Sequence, residues 1–523
     1  MCMYMRIQVI LMWSIVICFF ENDACIPIFV HAFMLYFQHS ASKIPIKMKY
    51  FTLLITLFVG FDMPAFTQDA EVLSSIINQY SSYQEMSIKD RRFKHSDIVP
   101  LIEAVKADKR FELKEAGKSI EGRPIYLVRI GTGATKVFLW SQMHGNESTA
   151  TMAIFDLFNF FKAEDAHTAW KEDLLAKVSL YFMPMLNPDG AERFTRRNYL
   201  GVDLNRDALR LQSPEARILK ETRDELAADF GFNLHDQGRV YAAGRSDEPA
   251  TISFLAPAYN YEKEVNEVRG NAMKVIALMN RSLQQYIPGR VAKYDDDFEP
   301  RAFGDNIQKW GTSAILIESG GARNDREKQS IRKVNFIAIL TGLHAIANKL
   351  YEDEKVEDYE NIPFNERLLF DLMVRNANID LLGKLYKVDI AINQYEVDSE
   401  DHRGFRLVGR VAEWGDLSIF HGYKEIDAEG MQAIPSKVYP QVVKNTKALA
   451  QLNPEELFLE GYTHIRLKKI PKDTLIDTPF TLLDKKGTLP SGLSLGSRAN
   501  FVLKKGNEVK YVVLNGGLVW PRQ

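Results

Sequence analysis

Between about residue 122 and residue 349, short apolar runs alternate with long amphipathic stretches. IYLVRI, KVFLWSQ, VSLYFM, FGFNLHD and TSAILIES are rich in β-branched and aromatic residues, as buried strands are. TATMAIFDLFNFF, EVNEVRGNAMKVIALMNRSLQQY and REKQSIRKVNFIAILTGLHAIANKL carry apolar residues on a broad helical face. This alternation predicts an α/β domain, a mixed central β-sheet flanked by helices, over residues 68–351. YEDEKVEDYENIP is acidic and poor in apolar residues, so 352–365 is expected to be a linker. From 366 to 523 the texture changes to short apolar runs with turn signals, which predicts a smaller, β-rich accessory domain.

The balance of charges narrows the function. The 523 residues hold 66 basic and 68 acidic side chains, and a nucleic-acid binder would show a basic excess. Cys2, Cys18 and Cys25 are the only cysteines, so nothing beyond residue 25 can form a disulfide, a thiolate metal site or a cysteine nucleophile. The run Ile7 to Phe20 is too short for a comfortable membrane span. A second run starts at Met48 behind Lys47, with Lys49 within it, and ends in PAFTQDA, a pattern that fits a signal peptide cut after Thr67. Residues 1–67 are thus expected to be an extension plus signal peptide, with Met48 the true start. The product would be secreted or periplasmic, with no stable membrane span after signal removal; the competing reading is an N-terminal membrane anchor.

Several polar motifs fall near the ends of the expected strands. His144 and Glu147 stand three residues apart after KVFLWSQM, close to one helical turn, so both can face one ion. Imidazole and carboxylate are good zinc ligands, and a catalytic site needs a third ligand and an open position. MLNPDG ends another strand, GVDLNRD follows with Arg196 and Arg197 just upstream, FNLHD places His235 and ILIESGG places Glu318. Ligands of open α/β sheets gather at the carboxyl ends of strands.

EGRPIYLVRIG, H-x-x-E, NPDG, D-x-N-R, the downstream His and the late Glu, in that order, resemble the zinc carboxypeptidases of the carboxypeptidase A-like (funnelin) type. The resemblance spans about Ser87 to Lys349. It implies one zinc per chain, held by His144, Glu147 and His235, with Glu318 as general base. It implies that Arg196, preferred over Arg193, polarises the scissile carbonyl, that Asn205 and Arg206 bind the substrate's terminal carboxylate, and that Asp203 orients His144. Tyr294 is near the place of the tyrosine that closes over substrate.

Two departures stand out. Digestive members carry Arg between the zinc His and Glu, where this chain has Asn146. The stretch KYDDDFEPRAFGDN matches the family poorly, and Asp295, Asp296, Asp297 and Glu299 are read as a solvated loop. The resemblance implies a metallocarboxypeptidase acting on peptides with a free C-terminal carboxylate. Three alternatives remain open: a peptidase of cell-wall γ-D-glutamyl or diaminopimelate bonds, a deacylase of N-acyl amino acids, and a zinc-dead peptide-binding protein.

Overall fold

The computed structural model describes residues 14–21, 24–31, 64–470, 478–489 and 493–521. Two compact units divide the chain after Gln68. In the first, β1 (Ser14–Glu21) and β2 (Ala24–His31) pair as an antiparallel hairpin. Most of the expected signal segment lies outside the described residues, and a helix, Pro64–Asn78, runs across the expected cleavage point. Among the described residues no helix is long and apolar enough to cross a membrane.

The second unit begins with a mixed sheet of eight strands. In chain order these are β3 (Phe111–Lys118), β4 (Pro124–Ile130), β5 (Thr135–Ser141), β6 (Val178–Met183), β7 (Phe230–Asp236), β9 (Ile252–Leu255), β10 (Val291–Lys293) and β11 (Ser313–Ser319), with the two-residue β8 (Ala242–Ala243) lying outside the sheet. Their order across the sheet is β10-β9-β11-β7-β5-β6-β4-β3. The centre, β6-β5-β7-β11, is parallel, and antiparallel neighbours flank it. Parallel strands have helices on both faces, so the centre reads as continuous apolar sequence.

Alternation within each strand sends side chains to two cores. Val137, Leu139, Phe232 and Ile317 pack with the helices Thr149–Lys162, Glu267–Leu283 and Gln329–Ala347. Phe138, Trp140 and Ala314 pack on the other face, with Pro214–Leu226 and Phe303–Lys309. Fully burying one such leucine or phenylalanine contributes roughly 1.5–3 kcal/mol.

One ion pair is sealed in the larger core. Arg332 Nη2 lies 2.5 Å from Asp156 Oδ1, and both side chains are fully buried. Asp156 also accepts from the Tyr80 hydroxyl and the Glu85 backbone N–H, so it fastens the segment that precedes the sheet.

The acidic segment expected as a linker is folded. It contains the helix Val356–Glu360, whose Tyr359 is buried and whose hydroxyl accepts from the Ala256 N–H. After it, β12 (Asn365–Glu366) pairs with β8. Residues 372–520 contain a second eight-stranded sheet and a three-stranded one; one apolar cluster belongs to the larger sheet and a second joins strands of both.

Candidate active site

Glycine and asparagine contacts bring two distant sequence motifs together. A Cβ on Gly145 would come within 2.0 Å of the Gly190 backbone, so the HGNE loop can lie on the NPDG turn only because Gly145 has none. Asn187 donates to Met143 O at 3.2 Å and to Arg196 O at 3.4 Å, while its own carbonyl accepts from Gly190 N–H. Asp189 is buried and accepts from Ser119, Arg123 and the Glu121 N–H. The EGR and NPDG motifs are therefore struts that hold His144 and Arg196 in a fixed relation.

His144, Glu147 and His235 converge and are buried. Glu147 Oε2 lies 2.9 Å from His144 Nδ1 and 2.8 Å from His235 Nδ1, and the two Nδ1 atoms are 3.2 Å apart. Ligand atoms around a tetrahedral zinc, each about 2.0–2.2 Å from the ion, sit about 3.3 Å from one another. Two imidazole nitrogens and a carboxylate oxygen at this mutual spacing fit one such ion.

The surroundings orient these three side chains. Asp203 Oδ1 meets His144 Nε2 at 3.1 Å, which leaves Nδ1 for the metal side. Arg196 Nε donates to Asp203 Oδ2 at 3.0 Å, and its Nη1 reaches Glu147 Oε1 at 3.1 Å. Burial opposes ionisation of Glu147, yet the two histidines outweigh it and hold its carboxyl well below the usual carboxylate range. Burial likewise opposes the charge on Asp203, and His144 and Arg196 overcome it in the same direction. Burial lowers the pKa of His235, whereas for His144 the Glu147 charge and the Asp203 hydrogen bond leave it raised. Glu318 is held well above the carboxylate range, first by burial and then by the charges of Glu147 and Asp236.

These side chains open onto one cleft of about 360 Å³. Arg196, Asn205, Arg206, Tyr294 and Glu318 all line it. Asn205 is fixed by the Phe303 N–H, which donates to its carbonyl oxygen at 2.8 Å. Arg206 Nε lies 3.3 Å from Glu299, which Arg301 also holds. Arg193 is elsewhere, paired with Glu121, and Arg197 donates to Gly201 O. The acidic loop divides: Lys263 gathers Asp295, Asp296 and Asp297, while Glu299 faces the cleft.

Several residues were missed by sequence reasoning. Tyr241 lines the cleft beside Tyr294, ring centroids 6.2 Å apart. Burial, with the charge of Glu318 and the Tyr241 contact, pushes the Tyr294 hydroxyl above its ordinary value. Asp305 lines the cleft too, and burial raises its carboxyl to about 7. Asp236 was the one with a signal, being adjacent to His235 in FNLHDQG. Tyr241 and Asp305 lie in loop and helix segments with no motif around them.

A zinc carboxypeptidase family model (Peptidase_M14) matches residues 99–274. Carboxypeptidase B of Astacus astacus is 26% identical over 174 residues, 32% of this chain and 50% of that protein. Carboxypeptidase SOL1 of Arabidopsis thaliana is 29% identical over 178 residues, 28% of this chain and 36% of that protein. The chain thus spans half or less of the length of these two curated relatives. Among solved structures, a metallo-carboxypeptidase from Pseudomonas aeruginosa is 20% identical, with TM-score 0.39, over 49% of this chain and 70% of that one. Carboxypeptidase A from Helicoverpa armigera is 16% identical, with TM-score 0.38, over 57% of this chain and 86% of that one. The chain carries a zinc carboxypeptidase domain of the Peptidase_M14 family.

Proposed function

We propose that the protein is a zinc-dependent carboxypeptidase that removes single residues from the C-termini of peptides. The observation that carries the reading is convergence: a two-histidine, one-glutamate cluster, the half-buried Glu318 and two arginines all open onto one cleft. His144, Glu147 and His235 would hold the ion. Zinc in such a site supplies Lewis acidity, which polarises a carbonyl and makes water more acidic.

The chain's own groups do the rest. Glu318, at the cleft wall, takes a proton from the attacking water and delivers it to the leaving amine. Its carboxyl is held above the usual carboxylate range, first by burial, which favours its accepting a proton. Arg196 brings a cation to the same rim, where it stabilises negative charge developing on the scissile oxygen. Arg206 meets the substrate carboxylate with its planar fork and Asn205 adds its amide N–H groups. Glu299 occupies one side of Arg206 at 3.3 Å, so an incoming carboxylate shares that cation with it. Asp203 keeps His144 and Arg196 oriented through one carboxylate.

The test is a peptide pool, half with free and half with amidated C-termini, incubated with the zinc-loaded protein and followed by mass. Loss of single C-terminal residues from the free acids alone is the expected result. Equal cleavage of both halves would overturn the exopeptidase reading. No cleavage with zinc bound would favour cell-wall peptides, acyl-amino acids or a binding role.

A further inference from the structure

One ammonium group joins the two strand ends that carry His235 and Glu318. Lys328 Nζ donates to Ser319 O at 2.8 Å and to Asp236 Oδ2 at 3.0 Å, and reaches Gln237 O at 3.5 Å. Asp236 and Ser319 are paired in register on β7 and β11, each one residue past a member of the site. The Lys328 side chain is only 12% exposed.

Asp236 passes the contact to the metal ligands. Its Oδ2 also accepts from Thr149 Oγ1 at 2.5 Å, at the first residue of the helix that follows Glu147. Its backbone N–H donates to Glu147 Oε2 at 3.2 Å. A chain of hydrogen bonds therefore runs from Lys328 through Asp236 to the carboxylate of the ligand cluster.

The position of Lys328 is hard to explain by local stability. It caps the N-terminus of Gln329–Ala347, where the helix dipole disfavours a cation. Its backbone lies in the left-handed region, φ +53°, which is uncommon for a residue with a Cβ. Both features are accounted for if the side chain is needed beneath the two strand ends.

We infer that Lys328 is a positioning residue. It sets the spacing between the metal cluster, through Asp236, and Glu318, through Ser319. The part concerning Glu318 rests on the proposed peptidase activity; the part concerning the metal cluster does not.

The experiment uses the full chain and its Lys328→Met and Lys328→Gln variants, with zinc affinity read by chelator competition and kcat and KM read on a free-acid peptide. Removing a partner behind a metal ligand weakens binding about 10–100-fold, and that is the expected change in zinc affinity for both variants. kcat is expected to fall at least about tenfold while KM stays within about threefold, the pattern of lost transition-state alignment without lost substrate binding. If Lys328→Met does not fold, Lys328→Gln, which keeps a donor and loses the charge, decides. Zinc affinity within about twofold of the native protein in a folded variant would overturn the inference. If the native protein binds zinc and cuts no peptide, the activity reading fails alone and the affinity comparison still decides the role of Lys328.

Discussion

His235 and Glu318 are register partners on adjacent parallel strands, each one residue before the end of its strand. Directly paired residues on neighbouring strands point to the same face, and the strands are about 4.8 Å apart. The sheet alone therefore brings an imidazole of the candidate metal cluster and the half-buried Glu318 carboxylate to one side of one cleft.

Replacing Glu318 by Gln keeps the shape and removes the proton carrier. The variant is expected to bind zinc like the native protein and to lose about 10²–10⁴-fold in kcat. Metal analysis beside steady-state kinetics checks this. Near-native turnover would remove Glu318 from the mechanism.

Arg206→Ala removes the cation that faces Glu299 and the cleft. A hydrogen bond to a charged partner contributes about 1.5–3 kcal/mol, so KM for free-acid peptides is expected to rise about 10–100-fold with a smaller change in kcat. Binding of amidated analogues should change little. A parallel loss for both classes would show that Arg206 supports the fold and does not select the carboxylate.

Glu147 and the two imidazoles lie 2.8–3.2 Å from one another, and a zinc ion held there would bind the folded state only. A ligand that binds only the folded state at a thousand times its Kd stabilises by about 4 kcal/mol. Chelation is thus expected to lower the melting temperature by several degrees and abolish turnover, and zinc should restore both. A melting curve indifferent to chelator and to added zinc would count against a metal at this cluster.

Asp305 gives a pH signature. Its carboxyl rises from an ordinary value of 3.8 to about 7 on folding, because burial disfavours the charge. Between those values the folded state holds a proton that the unfolded state has lost, so this group's contribution to stability falls as pH rises from about 4 to about 7. Asp305→Asn cannot ionise. Its stability relative to the native protein is expected to improve progressively across that window and to level off above it. Denaturation at pH 4, 5.5 and 8 checks this, and a constant difference between the two proteins would refute it.

Asp156→Ala would strand the fully buried Arg332 without its partner. Breaking a buried pair from one side costs about 3–5 kcal/mol. Urea unfolding should register that loss. A change under about 1 kcal/mol would mean that the guanidinium finds other acceptors.

The α/β alternation, the flanking helices and the β-rich C-terminal texture were legible in the sequence because each is a matter of apolar periodicity. The positions of His235 and Glu318 at strand ends, and of His144 and Glu147 in the loop after β5, were legible for the same reason. The pairing of β7 with β11 was not, since register depends on which strands become neighbours. Lys328 and Tyr241 were invisible because their placement comes from loop paths, and Lys328 even stands where helix electrostatics would discourage it. The acidic stretch after Tyr351 read as a solvated connection because its few apolar residues are scattered; Tyr359 and Ile362 anchor it by burial, Tyr359 also accepts from the Ala256 N–H, and Glu354 pairs with Arg281.

The pairing of β12 with β8 bears on how this protein can be divided. Asn365 lends its backbone to Ala243 and its side-chain amide to Gln237, a residue of the cleft wall. A cut at residue 351, the natural place to separate a catalytic half for expression or domain exchange, would leave that wall with an unpaired edge. The two halves are therefore poor candidates for shuffling: a new C-terminal partner would have to bring its own replacement for Asn365, and lineages that keep the cleft should inherit both halves together.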